Sequence, residues 1–303
     1  MADFPVAVGL TSMSGTYIPE IWAGQTNIKF YDVTVFGEIT NTDYQGEITK
    51  YGDKVHIRVV PDITISRYRI GQDLDYDRPA TTDVELNIDY GYSYSFEINT
   101  VELKQSDLDY VEKWTDDASE NLAIEVDTVI LAGIYGSAGA NNAGATAGRI
   151  SSGFNLGTAA APLSVDKTNL LDLTIDAGSV LTESRAPLTN RWIVYPEIFC
   201  GMIQKGDLKD ASLAGDATSI ARNGRLGVIN RLHVYSSNNV HVSSSVFDVV
   251  FGHPSCVCFA SQLVENEIVP NPKDFGKLQR GLHVFGYLVN NGDGVGHIVA
   301  QKA

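Results

Sequence analysis

The chain has 303 residues, enough for one large domain or two smaller ones. It carries 37 acidic and 22 basic residues, a formal net charge of −15. This balance argues against a nucleic-acid-binding surface, because phosphates are bound by clustered Lys and Arg. Charged residues make up 19 % of the chain, below the roughly 25 % usual for soluble proteins. The composition excludes collagen-like, coiled-coil and fully disordered chains, and the low charge content indicates a large core or large contacts with other subunits.

Targeting and redox signals are weak. The apolar stretches are too short to cross a membrane, since a spanning helix needs about 20 apolar residues. The segment Met1–Pro5 lacks the basic start and apolar run of a secretory signal. Three cysteines, Cys200, Cys256 and Cys258, are too few for a disulfide framework. We therefore expect a protein that is made and folded in a reducing cytoplasm.

The first region, residues 1–46, has no sustained hydrophobic period. It mixes Gly, Pro and Thr with single apolar residues such as Trp22. We interpret it as an irregular arm, which is unusually long for a compact domain.

The second region, residues 47–100, carries the clearest pattern in the chain. Apolar and polar residues alternate without interruption over about fifteen residues, which predicts one strand or two collinear strands, roughly 50 Å long. The apolar members are Val84, Leu86, Ile88, Tyr90, Tyr92, Tyr94, Phe96 and Ile98. This face either belongs to the core of one sheet or is completed by neighbouring subunits, and its length favours the second interpretation.

A polar tip rich in turn residues lies within this region, at Gly71–Pro79. The spacing of Asp73, Asp75 and Asp77 resembles the start of a calcium-binding loop. However, that template requires Gly at its sixth position and Glu at its twelfth, and Arg78 stands at the sixth. The sequence therefore favours a solvated or salt-bridged tip over a cation site.

Charges of both signs at this tip could pair with another subunit. We expect an intersubunit interface at the tip and at the arm tryptophan. Its candidate residues are Trp22, Arg67, Arg69, Asp73, Asp75, Asp77 and Arg78.

A helical period follows over residues 106–135. Ser106 with Asp109 predicts the N-cap, and Gly133 and Gly136 predict the end of a helix roughly 40–45 Å long. Residues 136–162 are rich in Gly, Ala, Asn and Ser and predict a loop.

The second half alternates short helices and strands, which predicts an α+β domain. The predicted elements are a helix capped by Ser164, a buried strand Arg191–Tyr195, a helix after Pro196, a loop 207–225, strands Leu226–Tyr235 and Val246–Phe251, a helix Ser255–Leu263, and a last strand Leu282–Val289.

Motifs that carry catalysis are absent from the sequence. There is no nucleophile elbow, no phosphate-binding loop, no dinucleotide fingerprint and no zinc-protease motif. His253 with Cys256 and Cys258 fits no standard zinc spacing. We therefore expect no enzyme activity and assign no catalytic, cofactor-binding or metal-binding residues.

The order of these elements resembles the major capsid proteins of tailed bacteriophages with the Hong Kong 97-like fold. The motifs that carry the resemblance are Asp43–Ile48 with Gly52–Ile57, Tyr94–Ile98 with Gln105, Ser106 and the helix to Asp127, Asn223–Ile229 with Val234–Asn238, and Phe275–Tyr287. Each motif is weak alone, but their order along most of the chain is specific.

The resemblance implies an α+β fold with an N-terminal arm, an extended β-hairpin loop, a long spine helix in a peripheral domain, and an α+β axial domain. The implied divisions are the arm at 1–46, the extended loop at 47–100, the peripheral domain with its spine helix at 101–160, the axial domain at 161–262, and the return strands of the peripheral domain at 263–303.

The resemblance also implies self-assembly into hexamers and pentamers of an icosahedral head shell. The shell would enclose double-stranded DNA without sequence-specific binding and without a membrane. Such a protein belongs to the virion and is assembled in the bacterial host cytoplasm. Residues 1–46 contain no charged helical stretch, so a separate scaffolding protein is expected, beside a portal and a possible decoration protein. The alternatives are an encapsulin-type compartment shell and, from another class, a β-rich enzyme or glycan-binding module.

Overall fold

The computed structural model of the chain describes residues 31–43, 54–61, 63–71, 73, 76, 78–80, 83–105, 110–206 and 227–303. Within these residues the strands form three sheets, with two, three and seven strands. The helices are α1 (Phe36–Ile39), α2 (Thr100–Gln105), α3 (Tyr110–Ile134), α4 (Leu170–Glu183) and α5 (Glu197–Lys205). The strands are β1 (Lys54–Arg58), β2 (Asp83–Asn87), β3 (Tyr90–Asn99), β4 (Leu163–Val165), β5 (Arg191–Tyr195), β6 (Val228–Ile229), β7 (Leu232–Ser236), β8 (Val242–Ser243), β9 (Val246–Gly252), β10 (Val257–Pro270), β11 (Gly276–Val289) and β12 (Val295–Lys302).

The seven-stranded sheet is mixed and is covered on both faces. Its order is β4-β12-β9-β5-β7-β6, with β8 paired to β9. One face packs against α4 and α5, and this cluster includes Ile193 and Phe251. The other face packs against the C-terminal half of α3 through Trp192 and Val194. Because both faces are covered, all five residues of the predicted strand β5 are buried.

The three-stranded sheet is antiparallel, with the order β10-β11-β3. Burial alternates along β3 as predicted, and its aromatic face packs on α3, where Phe96 meets Trp114 edge to face at 5.7 Å. Gly133 lies inside α3, and a Cβ at this position would overlap the Tyr287 side chain of β11. The glycine therefore permits close packing of helix and sheet and does not end the helix.

The predicted stripe from Val84 to Ile98 is divided between two sheets. The break falls at Ile88 and Asp89, since β2 pairs with β1 whereas β3 pairs with β11. At the break the chain passes over Gly286 of β11, where a Cβ would overlap the Asn87 carbonyl. The prediction of two strands is the correct one of the two alternatives.

Some predicted boundaries are wrong, and one lies outside the described residues. Helix α3 is described from Tyr110, and its predicted cap at Ser106 lies outside the described residues. Ser164 lies in β4, while α4 begins at Leu170 after a turn in which the Asp166 carboxylate accepts the Thr168 N–H at 2.7 Å. The local aspartate turn, and not a serine cap, therefore precedes this helix.

The helix predicted over Ser255–Leu263 is also wrong. A single 3₁₀ turn at Pro254–Cys256 leads directly into β10. The β-branched and aromatic residues that follow belong to a strand that forms 13 residue pairs with β11, and this pairing outweighs the short helical pattern.

The predicted strand Leu226–Tyr235 is a hairpin of β6 and β7. It turns at Asn230 and Arg231, which both have positive φ, 46° and 65°. The predicted loop 207–225 lies outside the described residues.

The strand β12 has no counterpart in the predicted elements. It pairs antiparallel with β9 and parallel with β4, so the end of the chain adds to the seven-stranded sheet. The domain boundaries at 46, 100, 160 and 262 stay predictions.

Candidate intersubunit surface

A segment running between β1 and β2 is the most exposed apolar part of the described chain. We name residues 59–80 the extended segment. Its base is the two-stranded sheet, where Ile57 and Leu86 are buried against Cys258 and Ala260 of β10. The base carries exposed pairs of opposite charge, Lys54–Glu85 at 3.2 Å among them.

The extended segment exposes large apolar side chains. Ile65 is 95 % exposed, Ile70 is 96 % exposed and Tyr76 is 89 % exposed. The other exposed apolar residues of the segment are Val59, Val60, Ile63 and Tyr68. A concentration of exposed apolar side chains of this kind is typical of interaction surfaces.

The predicted interface residues fall on this segment only in part. Arg67, Arg69, Asp73 and Arg78 are all exposed, and among the described residues none of them forms an ion pair. Trp22, Asp75 and Asp77 lie outside the described residues. The two arginines alternate with the apolar residues of the segment, so charge and apolar surface are presented together.

A groove of about 400 Å³ lies on the outer face of the three-stranded sheet. Its lining includes small residues of β3 and β11, and β10 contributes two acidic residues, which we name the acidic rim. Its lining residues are Ser93, Tyr94, Ser95, Glu265, Glu267, Arg280, Gly281 and Leu282. Arg280 neutralises Glu267 at 2.8 Å, which leaves Glu265 as the unneutralised rim carboxylate among the described residues. No sequence pattern indicates this groove, because its residues come together only through the pairing of β3, β10 and β11.

The turn between β10 and β11 holds another exposed aromatic residue, Phe275, which is 86 % exposed. The turn is fixed to the end of β3, since the Thr100 N–H donates to the Phe275 carbonyl at 3.0 Å and Asn99 donates to Asp274 at 3.1 Å. The sequence marked Phe275 only as the start of the motif Phe275–Tyr287, because a single exposed aromatic residue gives no periodic signal.

The thiols and histidines show no arrangement for metal binding within the described part of the chain. Cys200, Cys256 and Cys258 are buried free thiols, and burial raises the pKa of Cys258 to about 11. His253 Nδ1 lies 2.7 Å from the Ser255 hydroxyl, at the start of the turn before β10. No helix among the described residues is long and apolar enough to span a membrane.

Comparison with known proteins finds similarity in solved structures. No protein-family model matches the chain, and no curated protein matches it. A structure from Mycobacterium phage Che8 has a TM-score of 0.78 and 26 % identity, and the match covers 93 % of this chain and 97 % of that chain. The capsid of Cyanophage P-SCSP1u has a TM-score of 0.73 and 14 % identity over 100 % of both chains. The mature capsid of bacteriophage PhiM1 has a TM-score of 0.65 and 14 % identity, covering 94 % of this chain and 92 % of that chain.

These similarities extend over nearly the whole of each chain. The chain therefore has the fold of phage capsid proteins. The predicted resemblance to tailed-phage major capsid proteins and the predicted mixed α and β capsid fold are confirmed.

Proposed function

We propose that this chain is the major capsid protein of a tailed phage and that copies of it assemble into the icosahedral head shell around double-stranded DNA. The observation that carries the proposal is the near full-length similarity to phage capsid structures, with 26 % identity to the Che8 structure. Its role is structural and non-enzymatic, and its place is the virion, after assembly in the host cytoplasm.

The extended segment supplies the physical reason for assembly. Side chains such as Ile65 and Ile70 lie in water in a single subunit. Contact with a neighbouring subunit would remove them from water, which contributes about 25 cal/mol for each Å² of apolar surface buried, before association entropy is subtracted. Hexamers and pentamers in a closed shell give every copy such a neighbour.

Charge gives the contact its specificity. Arg67 and Arg69 of one subunit complement the acidic rim of the groove on the next subunit, where Glu265 is the rim carboxylate not neutralised by Arg280. The remaining predicted interface residues, which are Trp22, Asp73, Asp75, Asp77 and Arg78, form further contacts between subunits in this proposal.

The partners follow from the same role. A separate scaffolding protein directs assembly, a portal occupies one vertex, and a decoration protein is optional. The net charge of −15 keeps the shell wall from adhering to the packaged DNA. Reversing acidic residues on the inner wall is expected to slow DNA packaging or ejection, and unchanged packaging and ejection would contradict this part.

Electron microscopy with sedimentation tests the proposal directly. The protein is purified alone and after co-expression with its neighbouring scaffold gene product, and both samples are stained and sedimented. Closed shells in either sample support a capsid protein. A small monodisperse species in both samples would contradict it. Shells that enclose a cargo enzyme instead of DNA would identify an encapsulin-type compartment.

A further inference from the structure

Asp127 is a fully buried carboxylate on α3 that lies beside no cation among the described residues. Its Oδ1 accepts the backbone N–H groups of Val35 at 3.0 Å and Phe36 at 2.8 Å. Its Oδ2 accepts the Asn239 side-chain amide at 2.8 Å and faces the Ser237 hydroxyl at 3.3 Å. One side chain therefore joins three separate parts of the chain.

The part held by Oδ1 is residues 31–43, which we name the strap. The strap also has contacts that do not involve Asp127. Val35 and Ile39 are buried in the cluster with α3, and Asn41 exchanges two backbone hydrogen bonds of 2.8 Å with β10, to the Val257 carbonyl and from the Phe259 N–H. Asp127 is thus one polar attachment of the strap, beside the Tyr31 hydroxyl, which donates to Asp117 at 2.8 Å, and Asn41 on β10.

The polar groups around Ser237 contain one acceptor more than the hydroxyl hydrogen can serve. The Ser237 hydroxyl has one hydrogen but faces two acceptors, the Val33 carbonyl at 3.1 Å and Asp127 Oδ2. The hydroxyl oxygen already accepts the Asn239 N–H at 3.2 Å. A proton taken from water onto Oδ2 would donate to Ser237, and Ser237 would then donate to Val33. Both hydrogen bonds can be made at once only in the protonated state.

The electrostatics agree with this geometry. Burial raises the pKa of Asp127, and its hydrogen bonds from Asn239, Val35, Phe36 and Ser237 oppose that change. Burial and these hydrogen bonds are the largest influences on the pKa of Asp127.

The titratable groups on the elements that meet here include Tyr31, Asp32, Glu38 and Asp43 of the strap, Asp117, Glu120 and Glu125 of α3, and His233 and Tyr235 of β7. Glu38 interacts with Tyr235, whose pKa is raised mainly by burial and further by this carboxylate. None of these groups is among the largest influences on the pKa of Asp127.

We propose that Asp127 is a proton-dependent clasp, which holds the strap and residues 237–239 on α3 more tightly when its carboxyl is protonated. The strap-bound state then binds the proton more tightly than a state with the strap detached and Asp127 in water. Strap attachment is strongest at low pH and weakens as pH rises from the ordinary value near 3.8 through the raised value of the bound state. Each unit of difference between the two states changes the open fraction about tenfold.

Hydrogen exchange at the Val35 and Phe36 amides of the unassembled subunit tests the clasp. Rates are measured between pH 4.5 and 7.5 and corrected for intrinsic exchange. In the wild type the opening equilibrium constant, which is the ratio of strap-detached to strap-bound subunits, is expected to increase with pH. Asp127→Asn keeps the shape but cannot titrate, so its opening is expected to be independent of pH. Glu125→Gln, at an exposed carboxylate of the same helix that forms no hydrogen bond to the strap among the described residues, is the matched control and should keep the wild-type pH dependence.

A second variant keeps the test decisive if Asp127→Asn does not fold. Ser237→Ala leaves the carboxyl in place but removes the hydroxyl that would accept its proton, and a smaller pH dependence is expected. An opening equilibrium that is flat in the wild type, that falls as pH rises, or that keeps its pH dependence in Asp127→Asn would overturn the proposal. Because the measurement uses single subunits, its failure is independent of whether shells form.

Discussion

The seven-stranded sheet and the extended segment use apolar residues in opposite ways. Every residue of β5 is buried within one chain, whereas Ile65 and Ile70 of the extended segment lie almost fully in water. The sheet is complete because helices cover both of its faces. The segment rests on a two-stranded base, which has too little surface of its own to cover it. Stability is therefore expected to depend on the first region, and assembly on the second.

The largest effect is expected from Phe251→Ala in the seven-stranded sheet. Phe251 is fully buried against α4 and α5, so truncation removes apolar contacts and leaves a cavity. The free energy of unfolding should fall by about 3–5 kcal/mol, measured by denaturant titration of the unassembled subunit. A loss below about 1 kcal/mol would contradict the assignment of this sheet as the main core.

A slightly smaller effect is expected from Arg191→Met. The buried guanidinium of Arg191 donates to the carbonyls of Gly178, Ala186 and Pro187 and to the Thr182 hydroxyl, at distances between 2.7 and 2.9 Å. Removing it leaves buried acceptors without donors, which should cost about 2–4 kcal/mol of unfolding free energy.

The control for Arg191 is Arg280→Met, at an exposed arginine of the three-stranded sheet. Denaturant titration should show a change below about 1 kcal/mol for this control. Equal losses in both variants would show that the buried hydrogen bonds at the end of α4 are not important for stability.

Substitutions in the extended segment should weaken shell assembly and leave the stability of the folded subunit nearly unchanged. Ile65→Ser is expected to change subunit stability by less than about 0.5 kcal/mol, because the side chain is already in water. Assembly loses about 1.5–3 kcal/mol at each contact, so the critical concentration for shells should rise at least tenfold, measured by light scattering and sedimentation. Ile65→Val should restore most of the wild-type assembly. A serine variant that unfolds more easily but assembles normally would show that Ile65 acts in folding and not in assembly.

The smallest effect is expected from Glu267→Gln at the groove. Its ion pair with Arg280 is exposed on both sides, so the loss of unfolding free energy should be at most about 1 kcal/mol and should shrink in high salt. Thermal unfolding at low and high salt measures it. A salt-independent loss would show that Glu267 acts through packing and not through charge.

For several elements, the local sequence pattern was sufficient to predict whether the segment forms a helix or a strand. The apolar run of β5, the alternation in β3 and the long period of α3 predicted the correct type of structure, because each pattern repeats over enough residues to outweigh its neighbours. The polar tip at Gly71–Pro79 was predicted as solvated or salt-bridged, and its described charged residues, Asp73 and Arg78, are exposed. These are properties of short stretches of chain, and the order of the stretches was enough to indicate a capsid fold.

Other features depend on partners that are distant along the chain. The start of β10 is a strand because β11 pairs with it. The stripe from Val84 to Ile98 is divided because its first part pairs with β1 and its second part pairs with β11. The environment of Asp127 requires Val35 and Asn239, which approach it from 92 residues before and 112 residues after. No local hydrophobic period in the sequence indicates that these distant residues contact Asp127. Hydrophobic periodicity determined the type of structure in the long repeating segments β3, β5 and α3. The tertiary structure decided which strands pair and which carboxylate is buried, because pairing and burial depend on residues far apart in the chain.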